Sequence, residues 1–304
     1  MTVQKIMNRR WILAGTVGII LFFLFFIDSG PAQTEKPYRR AAETAGATGK
    51  PLLIGTGPYY YTEKLEQGLK PLIAYLAREV NRDVRLLVTK SYEELADKVQ
   101  AGSLDIGFFN AVLYVRLKQR YPQLQYLVTA QSRQGGRNTA YYFSWLITRK
   151  DSGISKVKHF RGKTFAFSNK YSASGYIYPL GYFHWRGIVP EDFFARIVFA
   201  GTHARVTDMI AQGEVETGVS YDANLWVAEK KYGRIFRRIR KIGPILNPSL
   251  AAGAHVPDAL CRRIIKALEK VPSGVLNKDL VYTGFQRISE DNFKSVKELL
   301  RFAE

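Results

Sequence analysis

The chain has 304 residues, long enough for one large domain or two compact lobes around a buried core. Its 45 Lys and Arg against 26 Asp and Glu give a net charge of +19, which favours an anionic companion: a phosphate-like ligand, nucleic acid or anionic lipid. No zinc-finger, RNA-recognition or helix-turn-helix signature accompanies that charge, so nucleic acid is not expected, and Cys261 as the only cysteine excludes an intramolecular disulfide or a cysteine metal cluster.

Lys5, Arg9 and Arg10 precede WILAGTVGIILFFLFFI (11–27), which carries no charge and ends at Asp28. The basic flank and the length predict a transmembrane signal anchor with residues 1–10 in the cytoplasm and the rest of the chain outside it. A cleaved signal peptide is the alternative. No cysteine follows the segment, which excludes a lipoprotein anchor. Residues 28–50, rich in small residues, charge and proline, read as a flexible tether.

PLLIGTG (51–57) reads as a strand, residues 66–80 as a helix with apolar residues at helical spacing, and DVRLLVT (83–89) as a strand. SYEELADKVQAG (91–102) carries a helix cap at Ser91 and a closing glycine. LDIGFFN (104–110), a helix at 111–120 and LQYLVTA (124–130) continue the alternation. The pattern restarts with strands at 141–151 and 163–168, a helix over 175–186, a strand at 195–201, a helix at 204–212 and a strand at 215–220. Prolines and glycines interrupt residues 242–253, and helices at 257–270 and 289–302 close the chain. Strands alternating with helices predict an α/β fold with a largely parallel sheet. The restart predicts two lobes, 51–140 with 244–304 and 141–243, around a cleft. Ligands of such folds lie beyond strand C-termini, where loops meet helix starts.

Two strand ends carry candidate chemistry. YSASGYIYPLG (171–181) sets Ser172, Ala173, Ser174 and Gly175 at a strand-to-helix handover. Hydroxyls, exposed N–H groups and a glycine there suit an anion, though a plain helix cap explains them equally. FAGTHARV (199–206) sets His203 at a second helix start, where it serves as a cap or as a donor to a phosphoryl oxygen. The dense basic run EKKYGRIFRRIRK (229–241) reads as a solvated face. No metal-binding histidine pair, P-loop, dinucleotide fingerprint or nucleophile elbow occurs, so neither an enzyme nor a cofactor is expected.

Together YSASGYIYPLGYFHWRGIVPEDFF (171–194), FAGTHARVTDMIAQGEVETG (199–218) and SYEELADKVQAGSLDIGFF (91–109) resemble the phosphate/phosphite/phosphonate substrate-binding proteins of ABC importers. That family shows Ser-x-Ser-Gly, a proline five residues after the second serine, and Gly-x-His leading a helix. The resemblance implies a type II periplasmic binding fold, with two α/β lobes, a hinge and an interlobe cleft, on the periplasmic face of the bacterial inner membrane. It also implies an ABC permease as partner. Carried over residue by residue, it puts the phosphoryl donors at Ser172, Ser174 and His203, with pocket tyrosines at Tyr92 and Tyr142. Ala173 replaces a family hydroxyl but keeps its N–H. The two carboxylates that hold the ligand amine in aminoalkylphosphonate binders fall on Ala223 and Ser249, with Asp222 adjacent. An ammonium desolvated without them is disfavoured. The expected ligand is therefore phosphate, phosphite or a phosphonate lacking an amine. A sensor ectodomain or accessory protein of the same fold is the rival reading.

Overall fold

A computed structural model describes residues 49–58, 62–276 and 282–303. The expected anchor at 11–27 and the tether up to residue 48 lie outside the described residues. No described helix is long and apolar enough to cross a membrane.

The first run of elements is β1 (Leu52–Thr56), α1 (Thr62–Val80), β2 (Val84–Val88), α2 (Tyr92–Gln100), β3 (Ile106–Phe109), α3 (Ala111–Arg120), β4 (Gln125–Gln134) and β5 (Arg137–Thr139). Helix starts follow from local chemistry. Ser91 Oγ accepts from Glu94 N at 3.1 Å while the Glu94 carboxylate accepts from Lys90 N at 2.7 Å, satisfying two N–H groups ahead of α2. Asn110 caps α3 in the same way.

The second run is β6 (Tyr141–Arg149), β7 (Thr164–Phe167), α4 (Tyr178–Trp185), α5 (Pro190–Phe193), β8 (Arg196–Phe199), α6 (His203–Gln212), β9 (Thr217–Tyr221), α7 (Asp222–Tyr232) and β10 (Phe236–Leu246). The chain then returns as β11 (Ser249–Ala252), α8 (Asp258–Glu269), β12 (Tyr282–Gln286) and α9 (Lys294–Leu300).

The first sheet runs β12-β4-β11-β3-β1-β2, with β5 on β4, and the second runs β10-β6-β9-β7-β8. Around β1 and around β7 the pairing is parallel. β11 is antiparallel to β3 and β4, and β6 to β9 and β10. The expected largely parallel sheet is thus corrected to two mixed sheets. The cause is the route of the chain: β6 and β11 each arrive directly from the other sheet, without the crossover helix that would return the strand in parallel. β11 and β12, not foreseen as strands, both lie in the first sheet.

Among the described residues, three apolar clusters form the core. One joins α1 and α8 to the first sheet through Leu65, Leu76 and Ile264; another packs α6 and α7 on the second through Val206, Ile210 and Leu225. The largest is shared, with Tyr114 of α3, Phe165 of β7, Phe183 of α4 and Leu299 of α9 in one continuous cluster. The basic run at 229–241 is the end of α7 and most of β10, an outer strand of its sheet. Its charges are engaged: Arg238 with Glu229 at 2.7 Å, Lys231 with Asp208 at 3.0 Å, and Lys241 over the Phe143 ring at 3.6 Å. Charges on an edge strand also discourage pairing with another chain.

Candidate functional site

A cavity of about 880 Å³ lies between the two sheets, walled by Tyr92 and Asn110 on one side and by Ser172, Ser174 and His203 on the other. The serine wall is built at the end of β7. The helix expected over 175–186 begins earlier, as a π-turn at Ala173–Ile177 that leads into α4. Ser172 caps this start, its Oγ accepting from Gly175 N at 3.0 Å. Pro179 has no N–H to give the Gly175 carbonyl four residues back, and that carbonyl instead accepts from Ser168 N at 3.1 Å, pinning the helix start to the strand end. Ala173 and Ser174 open the helix, so their N–H groups have no intrahelical acceptor before them. Helix irregularities of this kind recur at functional sites.

His203 joins this wall from the start of α6, where Thr202 caps the helix. Its Nε2 lies 3.1 Å from both Ser172 Oγ and Ser174 Oγ. On the other side of the ring, Nδ1 lies 3.5 Å from Ser220 Oγ. Asn224 Nδ2 donates to Ser220 Oγ at 2.9 Å and to the His203 carbonyl at 3.0 Å. Ser220, accepting from Asn224, has its own proton left for Nδ1, which favours the tautomer with the ring proton on Nε2, facing the serines. Burial lowers the His203 pKa to about 3, so the imidazole is neutral. The ring also stands edge-to-face against Tyr221, with centroids 4.7 Å apart.

Burial raises the pKa of the Tyr142 phenol, against a smaller lowering by the nearby Ser174 hydroxyl. Burial pushes the Tyr92 phenol up to about 12, against a smaller lowering by the nearby Asn110 amide. Both phenols are therefore protonated donors across the neutral range. Among the described residues lining the cavity, Arg133 and Asp222 carry the formal charges. What meets a guest at the serine wall is a set of neutral donors. Such groups suit an oxyanion, whose oxygens accept several hydrogen bonds. No cluster of three or more His, Cys, Asp or Glu among the described residues could hold a metal ion.

Of the residues singled out in the sequence, Tyr92, Tyr142, Ser172, Ala173, Ser174 and His203 line this cavity. Gly175 stands behind it, not on its wall. A Cβ there would collide with Ser168 Oγ and lie 2.9 Å from His203 Cε1, so its part is to let the histidine approach. Ala223 lines the cavity, but Ser249 does not; Ser249 Oγ is fully buried 2.8 Å from Thr129 Oγ1. Its place on the wall is taken by Asn247 and Pro248. Asp222 lines the cavity with Oδ1 accepting from Trp145 Nε1 at 2.6 Å, and burial raises its pKa against the pull of that bond and of Lys241 and Arg238. Sequence reasoning missed Asn110, although it ends a strand and opens a helix as Ser172 does, and it missed Asn247, hidden in a proline-broken segment.

The sequence profile of a family described as the periplasmic substrate-binding protein of phosphonate ABC transporters matches residues 54–293. A phosphate-import protein, PhnD, from Mycolicibacterium smegmatis is 26% identical over 203 residues, covering 64% of this chain and 62% of that protein. The aligned part therefore spans less than two thirds of that relative's length. The fold matches a binding-protein component of an ABC phosphonate transporter from Pseudomonas aeruginosa, with a TM-score of 0.73 at 18% identity over 83% of this chain and 86% of the other. It equally matches PhnD1 from Prochlorococcus marinus in complex with methylphosphonate, with a TM-score of 0.73 at 14% identity over 83% and 97%. The extent of the profile match settles the family: this chain belongs to the periplasmic substrate-binding proteins of phosphonate ABC transporters.

Proposed function

We propose that this protein captures a small phosphorus oxyanion, namely phosphate, phosphite or a phosphonate lacking an amine, and presents it to an ABC permease. The observation that carries the reading is the convergence of Ser172 Oγ and Ser174 Oγ on His203 Nε2, each at 3.1 Å, at the start of a helix. Three donors and two unengaged helix N–H groups there can surround a tetrahedral anion with hydrogen bonds. Tyr142 and Tyr92 add a donor from either side of the cleft. The head is held by neutral dipoles instead of counter-charges. Family membership supports binding and delivery over catalysis, and with its ring proton on Nε2 His203 faces Ser172 and Ser174 as a donor and not as a base.

In this reading residues 51–140 with 244–304 form one lobe and 141–243 the other, closing about the crossovers near Ala140 and Asn247. Residues 11–27 anchor the chain to the inner membrane, leaving both lobes at the periplasmic face. The amine is disfavoured because Ala223 offers no acceptor and Ser249 is buried away from the wall, which leaves Asp222, with one oxygen accepting from the Trp145 indole, as the single carboxylate among the described lining residues. Titration calorimetry with phosphate, phosphite, methylphosphonate and aminoethylphosphonate tests the assignment. Ser172→Ala and His203→Ala are each expected to weaken binding about 10-fold or more, as loss of a hydrogen bond to a charged group does. Unchanged affinity in both variants, or tighter binding of aminoethylphosphonate than of methylphosphonate, overturns it.

A further inference from the structure

Asn110 closes the first sheet's β3 and caps α3, with Oδ1 accepting from Leu113 N at 3.0 Å. A backbone N–H can only donate, so Oδ1 faces the helix and Nδ2 faces out. Nδ2 in turn donates to the Tyr171 carbonyl at 3.1 Å, a group that can only accept, so both bonds require the same orientation of the amide. Tyr171 belongs to the other side of the cleft and immediately precedes Ser172. Further along α3, Arg116 lies over the Tyr171 ring at 5.4 Å from its centroid. The same Asn110 side chain stands near the Tyr92 hydroxyl and works against the rise that burial imposes on its pKa. One amide thus stands beside the tyrosine donor of the first half-site and bonds the peptide that leads into the serine donors of the second.

We infer that Asn110 is a positioning residue that registers the two halves of the site across the cleft before a ligand arrives, an inference that rests on the oxyanion reading above. Without this bond the ligand alone would have to align Tyr92 with the Ser172–Ser174–His203 wall, and the ordering would be charged against its affinity. With it, part of the closed arrangement is already populated, and apparent affinity scales with that population.

The test separates latch from cap. Asn110→Ser retains a good N-cap but is too short to reach Tyr171, and Asn110→Asp retains cap and length but turns a carboxylate oxygen toward the carbonyl. Spin labels at the exposed positions Glu66→Cys and Glu191→Cys report the interlobe distance without any ligand, with the buried Cys261 replaced by Ala. In both variants the unliganded distance distribution is expected to shift to longer values with the thermal midpoint little changed. The dissociation constant for methylphosphonate or inorganic phosphate should rise about 3- to 10-fold in Asn110→Ser, as loss of one ordinary hydrogen bond gives. A distance distribution identical to that of the parent overturns the inference, and so does a longer distance with unchanged affinity. If the parent protein binds no oxyanion at all, the proposed function fails while the distance measurement still decides whether Asn110 holds the cleft.

Discussion

His203 makes its two 3.1 Å contacts with the serine hydroxyls as a neutral ring, because burial has lowered its pKa from 6.5 to about 3. The unfolded chain regains the ordinary value, so between those limits it binds a proton that the folded protein refuses. Stability from this residue is complete above about pH 6.5 and drains away as the pH falls toward 3. His203→Gln keeps a donor but cannot titrate. The drop in thermal midpoint between pH 7 and pH 4 should therefore be shallower in the variant than in the parent. Parallel curves would show that the folded histidine titrates normally. The same residue marks the limit of reading a site from sequence. The GTH spacing pointed to His203, but its tautomer depends on Asn224 and Ser220, which lie on α7 and β9 and carry no local signal of a shared site.

At the scale of elements, α9 returns from the first sheet's β12 to pack against α4 of the second run. Leu299 sits in the shared core and packs so closely on α4 that a Cβ on Gly181 would strike it. On the same element's approach, Asn292 Oδ1 accepts from the Tyr141 hydroxyl at 2.8 Å, at the start of β6. Leu299→Ala is expected to cost about 2–5 kcal/mol, the range for a buried leucine truncation. Because the cluster runs through helices of both sheets, chemical denaturation of the variant should remain one transition at lower denaturant. Two separated transitions would show that the sheets unfold independently and that α9 serves only one. Most elements were legible because their periodicity is local: α3 was read at 111–120, the span it occupies. β11 was not, since SLAA is four buried residues, three of them small, with no alternation, and only its insertion between β3 and β4 makes it a strand. β10 was hidden by its arginines, which face outward from an edge while Phe236, Ile242 and Ile245 turn inward.

At the scale of the molecule, the two sheets share one feature: each takes in an antiparallel strand, β11 or β6, from the chain as it crosses over. The crossovers run side by side: Asn247 N donates to the Ala140 carbonyl at 2.8 Å and Asn247 Nδ2 to the Thr139 carbonyl at 3.1 Å. A mixed topology of this sort could not be read from alternating elements, because strand direction depends on which sheet a segment joins. The charge was legible from the first line, but its place was not. The chain carries a net +19, whereas the serine wall of the cavity presents neutral donors, with Arg133 the one formal cation among the described lining residues. Long-range charge and short-range grip are thus separate here, and they respond differently to salt. On the oxyanion reading, capture of the ligand is drawn by the field of the whole protein, which salt screens beyond a Debye length of ~10 Å at 0.1 M. Release breaks buried hydrogen bonds that salt barely reaches. Stopped-flow measurements with phosphate or methylphosphonate from low to high ionic strength should show the association rate falling about tenfold or more, with the dissociation rate nearly constant. A dissociation rate that climbs in step with salt would mean that a solvent-exposed cation, and not the Ser172–Ser174–His203 wall, holds the anion.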